Sequence, residues 1–179
     1  MTRYKFKIVI VGDYGVGKTS LINQYVTQKF KESYIPTLGV QFTKKILKKS
    51  DNDVELVIWD IAGQDSFSKI RQRFYDHTQG FIIVYDLTRK SSLENIKNWY
   101  DDVMAHTGKL PCLLLGNKSD LTENRVINEE DVTEIIEKHE MNFNNLFETS
   151  AKTGENVEEI FELLAGHILK KIIQSSRGE

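Results

Sequence analysis

Eight residues near the start of the chain have the types and the spacing needed to hold a chain of phosphates. Residues 12–19 fit the pattern G-x-x-x-x-G-K-S/T, in which glycines let the backbone wrap around phosphates. Successive backbone N–H groups and the start of the following helix supply fixed positive charge. Lys18 can reach the outer phosphates, and the Thr19 hydroxyl can bind Mg²⁺. This segment, the phosphate loop, predicts a nucleoside triphosphate site without indicating the base.

The polar segment Asn117-Lys118-Ser119-Asp120 indicates the base. The Asp120 carboxylate can accept hydrogen bonds from N1–H and the 2-amino group of guanine, whereas adenine would leave it desolvated and unpaired. Such a loss is large enough for strong discrimination between the two bases. Asn117 can tie this segment to the phosphate loop, and the Lys118 stem can cover one face of the base. The same four residues also fit an ordinary polar turn after a strand, but their position downstream of a phosphate loop favours guanine.

Three further segments complete a known pattern. They are Tyr34-Ile35-Pro36-Thr37, Trp59-Asp60-Ile61-Ala62-Gly63-Gln64 and Thr149-Ser150-Ala151-Lys152. With the two segments above, the chain resembles the Ras-like small GTPases, whose five nucleotide-contacting segments are present in order and at the family's spacing. The resemblance covers essentially the whole chain. It implies a molecular switch that cycles between GTP and GDP, hydrolyses GTP slowly with Mg²⁺, and regulates vesicle trafficking or signalling.

Within that superfamily the chain is most similar to the Rab branch. Residues 38–42 resemble the Rab segment after the switch threonine, and residues 84–88 resemble the Rab strand-end motif. Phe42, Trp59 and Phe74 match the aromatic triad through which Rab proteins contact effectors. The resemblance therefore implies an exchange factor, a GTPase-activating protein and effectors that bind the two switch segments and this triad.

The resemblance also assigns roles to single residues. Thr19 and Thr37 would bind Mg²⁺ directly and Asp60 through a water molecule, while Gln64 would orient the attacking water. Lys18 and Thr37 complete the expected catalytic set. The residues expected to bind the nucleotide are Gly12, Gly15, Val16, Gly17, Lys18, Thr19, Ser20, Phe30, Thr37, Asp60, Gly63, Asn117, Lys118, Asp120, Ser150, Ala151 and Lys152. Among them, Phe30 would lie at the edge of guanine and the Ala151 N–H would donate to its carbonyl oxygen.

The rate of hydrolysis is expected to depend on a partner. No arginine lies between Phe30 and Thr37, so this segment supplies no charge-stabilising arginine in cis. Intrinsic turnover should therefore be slow until a partner supplies the missing group. Loss of the terminal phosphate would remove the ties on Thr37 and Gly63 and loosen the segments around them. A phosphotransferase that uses the same loop is a competing class, against which Gln64 and the guanine segment argue.

Several positions depart from the family pattern. Tyr14 stands where the family usually carries glycine or another small residue, and its phenol either crowds Gln64 or an incoming arginine, or folds outward. An alternative function is therefore a GTP-locked scaffold with little hydrolysis because of Tyr14. Ile61 replaces the usual threonine, and Asp65-Ser66 replaces an acidic-basic pair. We expect these changes to alter the partners of the second switch rather than the chemistry.

The elements that must position these residues alternate along the chain. Residues 6–11, 81–85 and 112–115 are nearly continuous apolar runs, typical of strands buried on both faces of a parallel sheet. Residues 42–49 and 54–60 predict a hairpin that adds one antiparallel strand. We therefore predict an α/β fold of the P-loop NTPase kind: three α/β/α layers with a six-stranded, mostly parallel sheet, one antiparallel strand and about five flanking helices. The domain should span residues 1–174, followed by a flexible tail over 175–179.

Composition and the chain end bear on partners and location. A net charge of −2 argues against nucleic acid as the main partner, and 179 residues suit a monomer with a single domain. The single cysteine, Cys112, lies in an apolar run, which indicates a buried thiol in a reducing cytosol. Rab proteins usually end in prenylated cysteines, whereas residues 174–179 contain none and Thr2 rules out myristoylation. Membrane association is left open: the protein works in the cytoplasm without a lipid, or a lipidated tail that held it on the cytosolic face of membranes has been removed.

Overall fold

A computed structural model describes residues 2–30, 37, 39–48, 52–64 and 71–177. Within these ranges the strands are β1 (Thr2–Val11), β2 (Val40–Lys48), β3 (Asn52–Ile61), β4 (Gly80–Asp86), β5 (Cys112–Asn117) and β6 (Asn145–Thr149). They form one sheet in the order β2-β3-β1-β4-β5-β6. Only the β2–β3 pair is antiparallel among these described strands. The predicted six-stranded sheet with one antiparallel strand is confirmed.

Helices cover both faces of the sheet. In the described residues they are α1 (Lys18–Thr27), α2 (Lys90–Glu94), α3 (Ile96–Thr107), α4 (Glu129–Lys138) and α5 (Val157–Arg177). Short 3-10 turns occupy Gln72–Phe74 and Thr122–Asn124. One apolar cluster joins α1 and α5 to the sheet, and a second joins α2, α3 and α4 to its other face. The predicted three-layer α/β/α architecture is therefore confirmed.

Strands β4 and β5 are apolar except at their carboxyl ends because helices lie on both faces of the sheet. Every residue of β4 and β5 is buried, and both strands pair in parallel. The edge strand β2 differs, since Phe42 and Ile46 are exposed. Parallel strands also place their carboxyl ends along one edge of the sheet, which is where ligands bind in open α/β folds.

The last helix extends further than the sequence indicates. Residues 175–177, expected in a flexible tail, belong to α5. The hydroxyls of Ser175 and Ser176 donate to the carbonyl oxygens of Lys171 and Ile172, one turn earlier, each at 3.0 Å. Such hydrogen bonds to the carbonyl four residues earlier satisfy the serine hydroxyls within the helix. No helix in the described part of the chain is both long and apolar enough to traverse a lipid bilayer.

Candidate functional site

The carboxyl ends of the parallel strands bring the predicted segments together. The phosphate loop follows β1, Asp60 lies near the end of β3, and Asn117 ends β5. Thr149 ends β6, next to β5 in the sheet. Residues far apart in the sequence therefore meet at one edge because the strands that carry them are parallel neighbours.

The phosphate loop encloses the amine of Lys18. Lys18 is only 6% exposed, and its Nζ donates to the carbonyl oxygens of Gly12 at 2.6 Å and Asp13 at 3.0 Å. Burial lowers the pKa of Lys18 to about 8, although the charges of Asp60 and Asp13 oppose the shift. A phosphate group in the loop would favour the charged form of this amine, because an adjacent opposite charge raises the pKa of a buried lysine.

One position of the loop requires glycine, both because of its backbone conformation and because a neighbouring side chain lies very close to it. Gly17 has a φ of 101° and precedes the first residue of α1. A Cβ at this position would lie 2.2 Å from Nδ2 of Asn117, too close for any side chain. Gly63 approaches the loop from the other side, since a Cβ there would lie 2.5 Å from the backbone nitrogen of Tyr14. The backbone at Gly63 therefore packs directly against the backbone of the phosphate loop.

Three oxygens meet at the phosphate end of the site. Thr19 Oγ1 lies 2.8 Å from Thr37 Oγ1 and donates to Asp60 Oδ2 at 2.5 Å, while Thr37 Oγ1 lies 3.3 Å from the same Oδ2. Burial raises the pKa of Asp60, opposed by the Thr19 hydrogen bond and the charge of Lys18. Oδ1 of Asp60 is buried and has no hydrogen-bond partner among the described residues.

This oxygen set fits Mg²⁺. Magnesium takes hard oxygen ligands at about 2.0–2.1 Å in octahedral geometry, so neighbouring ligand oxygens lie about 2.9 Å apart. The 2.8 Å between the hydroxyls of Thr19 and Thr37 matches that spacing. The unpartnered carboxylate oxygen of Asp60 is an acceptor suited to a metal-bound water.

A cavity of about 490 Å³ opens beside the phosphate loop, large enough for a nucleoside. Its lining residues are Tyr14, Gly15, Gly17, Ser20, Phe30, Asn117, Lys118, Asp120, Leu121, Ala151 and Lys152. A cleft of about 20 Å³ continues it, lined by Tyr14, Gly15, Gly17, Lys18, Thr19, Ser20, Thr37, Ala62 and Gly63. The two cavities share four residues of the loop and α1, so base-binding and phosphate-binding positions lie along one continuous groove.

Asn117 joins the loops that surround this groove. The side chain is 1% exposed, and its Nδ2 donates to the Val16 carbonyl oxygen at 2.8 Å. Its Oδ1 accepts hydrogen bonds from Thr149 Oγ1 at 3.3 Å and from the Ala151 N–H at 3.2 Å. The Ala151 N–H, which the resemblance assigns to guanine, is therefore directed at Asn117 in this structure.

The base-binding end is held by a second set of contacts. Ser150 Oγ donates to Asp120 Oδ1 at 2.6 Å and accepts from the Thr153 N–H at 3.0 Å. Lys118 has a φ of 72°, and its Nζ lies 2.5 Å from Asp86 Oδ2. Burial would raise the pKa of Asp86, but hydrogen bonds from Lys118 and Thr88 outweigh it and hold that pKa below its usual value. The carboxylate of Asp120 and the side chain of Lys118 are thus oriented by contacts with Ser150 and Asp86.

Asp86, at the end of β4, was not predicted as a site residue. Its signal in the sequence was its position directly after a buried apolar run, the same position that Asn117 and Asp60 occupy on their strands.

Three further residues contact the phosphate loop from outside the groove, and the sequence analysis did not identify them. Asp13 Oδ1 accepts from Asn95 Nδ2 at 2.6 Å and from Trp99 Nε1 at 2.7 Å. The carbonyl oxygen of Tyr14 accepts from Arg89 Nη2 at 2.7 Å. No local motif marks these residues, because their contacts depend on how α2 and α3 pack beside the loop.

Some of the other predicted residues are described by the structure, and the rest lie outside the described part of the chain. Phe30 is 38% exposed at the groove, and Gln64 is half-buried directly after Gly63. Phe42, Trp59 and Phe74 form a row with ring centroids 5.7 and 6.0 Å apart. The predicted switch positions Tyr34, Ile35, Pro36, Leu38, Asp65 and Ser66 lie outside the described residues.

Comparison with known proteins gives a consistent result. The sequence profile of the Ras family matches residues 7–170. Ras-related protein Rab-1 of Theileria parva is 39% identical over 173 residues, which are 96% of this chain and 77% of that protein. Rab-1 of Theileria annulata is 38% identical with the same shares. Ras-related protein Rab-13 of Canis lupus familiaris is 38% identical over 167 residues, 93% of this chain and 81% of that protein.

Proposed function

The chain belongs to the Ras family, is most similar to its Rab branch and is a GTPase that binds GTP, GDP and Mg²⁺; from this premise we propose that it is a switch in vesicle trafficking or signalling. Its intrinsic hydrolysis is slow, and its two states differ around Thr37 and Gly63. The observation that carries this proposal is the convergence of Thr37 with Thr19 and Asp60. These contacts tie Thr37, which lies outside the phosphate loop, to the phosphate end of the groove.

We assign each residue at the phosphate end a separate role in hydrolysis. Thr19 and Thr37 would hold Mg²⁺ through their hydroxyls, and Asp60 would hold it through water. When bound, the metal neutralises charge that develops on the phosphates. Lys18 exchanges its loop carbonyl partners for phosphate oxygens, and Gln64 orients the attacking water. Gly63 presents its N–H to the terminal phosphate, which the close approach of its backbone to the phosphate loop supports.

The base-binding end selects guanine. Asp120 accepts the two guanine N–H groups through its carboxylate, and Ser150 Oγ also donates to Oδ1 of that carboxylate. The Lys118 stem and Phe30 cover the base, and Lys152 lines the same cavity. The hydrogen bond from the Ala151 N–H to Asn117 gives way to the guanine carbonyl oxygen. A base that lacks these donors leaves a buried carboxylate unpaired, which is the physical origin of the selectivity.

The partners we propose are an exchange factor, a GTPase-activating protein and effectors. Phe42 is 60% exposed beside Trp59 and Phe74, a large apolar surface that a monomer keeps only at a cost. This aromatic row is the effector surface that we propose. We propose that the chain itself acts as a monomer.

The test measures whether GTP bound to the protein is hydrolysed to GDP and phosphate. Purified protein is incubated with excess GTP and Mg²⁺ for several hours, then denatured, and the released nucleotide and phosphate are quantified. We expect mainly GDP from the native chain and intact GTP from Gln64→Leu. Gln174→Leu, an exposed glutamine on α5, is the matched control and should behave like the native chain. Equal phosphate release by all three proteins would contradict the role of Gln64.

A second candidate function rests on Tyr14, which is 44% exposed and lines both the nucleoside cavity and the phosphate cleft. A phenol in this position can obstruct the terminal-phosphate region and leave the protein as a GTP-bound scaffold. The two candidates differ in the same experiment, because a scaffold retains intact GTP. In that case Tyr14→Gly should restore phosphate release, whereas a working switch hydrolyses GTP without the substitution.

A further inference from the structure

Arg89 occupies a fixed position at the back of the phosphate loop. Its backbone N–H donates to the Asp86 carbonyl oxygen at 2.9 Å, and its own carbonyl accepts from Ser92 Oγ at 2.7 Å. The side chain is half-buried, and Nη2 donates to the carbonyl oxygen of Tyr14 at 2.7 Å. Nη1 lies 3.8 Å from the position that a Cβ on Gly15 would occupy. The guanidinium therefore rests against the Tyr14–Gly15 peptide group.

That peptide group has two ends with different surroundings. Its carbonyl faces Arg89, outside the groove. Its N–H belongs to Gly15, which lines both the nucleoside cavity and the phosphate cleft. The Gly15 N–H donates to no backbone carbonyl among the described residues. One end is thus held by a charged donor, while the other belongs to a residue that lines the groove.

The neighbouring residue of the loop is held in the same way. The Asp13 carboxylate accepts from both Asn95 and Trp99, and Trp99 is only 4% exposed. Two consecutive loop residues are therefore fixed from outside by side chains at the start of α2 and in α3. Asp13 is held through its side chain, whereas Tyr14 is held through its backbone carbonyl. The contact between Arg89 and Tyr14 therefore acts directly on a peptide group that adjoins the groove.

A charged hydrogen bond to a carbonyl polarises the whole peptide group. The N–H at its other end becomes a stronger donor, because hydrogen bonds in series reinforce each other in a low-dielectric environment. An arginine is suited to this task since its guanidinium is always protonated and its planar fork loses little freedom on binding. It also adds positive charge behind a loop that must face phosphates.

We propose that Arg89 is a positioning residue that aligns and polarises the Tyr14–Gly15 peptide toward bound phosphates and so slows nucleotide release. It acts through the backbone and does not touch the nucleotide, which separates it from an arginine that stabilises charge by direct contact. The inference rests on the proposed assignment of residues 12–19 as the phosphate site.

The first test compares GDP release from the native chain, Arg89→Gln and Arg89→Lys, each loaded with a fluorescent GDP analogue. Removing the charge in Arg89→Gln should accelerate release about tenfold, the size expected for a charged hydrogen bond. Arg89→Lys keeps the charge without the planar fork and should restore part of the slow release. The ³¹P resonance of the β-phosphate of bound GDP should shift in Arg89→Gln, a change that a merely structural loss would not produce in a fully loaded sample.

Lys90→Gln is the matched control. It removes the same charge one residue away, from a side chain that is 60% exposed and 3.5 Å from Asp131. Release from this variant should equal that of the native chain. Equal acceleration by Lys90→Gln would assign the effect to net charge and overturn the role of Arg89, as would a release rate and a ³¹P spectrum of Arg89→Gln that match the native chain.

Lys18→Ala separates this inference from the proposed site. Loss of GDP from Lys18→Ala, with native release from Arg89→Gln, would keep the phosphate loop and overturn the role of Arg89. Native GDP retention by Lys18→Ala would contradict the assignment of the loop and, with it, the role of Arg89.

Discussion

At the scale of single residues, the contact between Ser150 and Asp120 yields a prediction about guanine binding. It is fully buried and donates to one oxygen of Asp120, which orients the carboxylate toward the cavity. Ser150→Ala removes a hydrogen bond to a charged group, worth about 1.5–3 kcal/mol, so GDP affinity should fall tenfold or more. Ser119→Ala is the control, because the Ser119 hydroxyl contacts the exposed side chain of Glu155 instead. Calorimetric titration with GDP measures both; equal affinities would contradict the orienting role.

Cys112 yields a prediction about pH. Burial raises the pKa of its thiol to about 11, although the Asn144 N–H opposes the shift, and Sγ lies 3.1 Å from the Asn142 carbonyl oxygen. Because the folded pKa exceeds the unfolded one, the stability gained is complete below the unfolded pKa and lost as pH rises through about 11. A thiol reagent at pH 8 should therefore label Cys112 only on unfolding.

The control for this prediction is Cys112→Ala. The free energy of unfolding of the native chain should fall more steeply between pH 9 and 11 than that of the variant, because other titrating groups are common to both. Parallel pH profiles for the two proteins, or rapid labelling of the folded native chain, would show that the thiol is accessible.

At the scale of elements, the junction between the phosphate loop and α1 depends on Gly17. Gly17→Ala meets a positive φ and also places a Cβ 2.2 Å from Asn117 Nδ2. Gly108, at the end of α3, also has a positive φ, but a Cβ there would meet no atom of the described residues within 4 Å, so it isolates the backbone strain. We expect both alanine variants to lose about 1–3 kcal/mol of stability, and only Gly17→Ala to lose GDP binding as well. Thermal unfolding and GDP titration distinguish the two effects.

The elements also show which part of the site could be predicted from sequence. Residues 12–19 and 117–120 are contiguous, so their chemistry is visible in the types and spacing of neighbouring residues. The contacts of Asp13 with Trp99 and of Tyr14 with Arg89 span 86 and 75 residues. They arise because α2 and α3 pack beside the loop, and no periodic pattern records which polar side chain of a helix will face a loop. These supporting residues therefore required the structure.

At the scale of the whole molecule, ligand binding and stability are linked. GDP with Mg²⁺ at 1,000 times its dissociation constant should add about 4 kcal/mol, which raises the melting temperature of a chain of this size by about 8–16 °C. Chelation of the metal should reverse much of this gain, because Thr19, Thr37 and Asp60 are the residues that would hold the ion beside the phosphates. ATP at the same concentration is the control and should leave the melting temperature unchanged. A similar rise with ATP would contradict guanine selectivity.

The overall architecture was predictable because the burial of each strand determines which of its residues must be apolar. β4 and β5 are covered on both faces, so their sequences are apolar except at their carboxyl ends, whereas β2 is less buried and pairs antiparallel with β3. The end of α5 was not predictable in the same way. Gln174, Ser175 and Ser176 carry no apolar pattern, and the hydrogen bonds of the two serine hydroxyls form only once the helix is present.

The bond between Asn117 and Val16 has a consequence for the newly made chain. It joins residues 101 positions apart, and the partners of Asn117 on β6 come later still. At a synthesis rate of about 5–20 residues per second, the phosphate loop leaves the ribosome about 5–20 s before the side chain that braces it is made. A nascent chain can therefore display the complete phosphate loop and still be unable to hold a nucleotide. On this account a molecule becomes competent to bind only after β6 has been made.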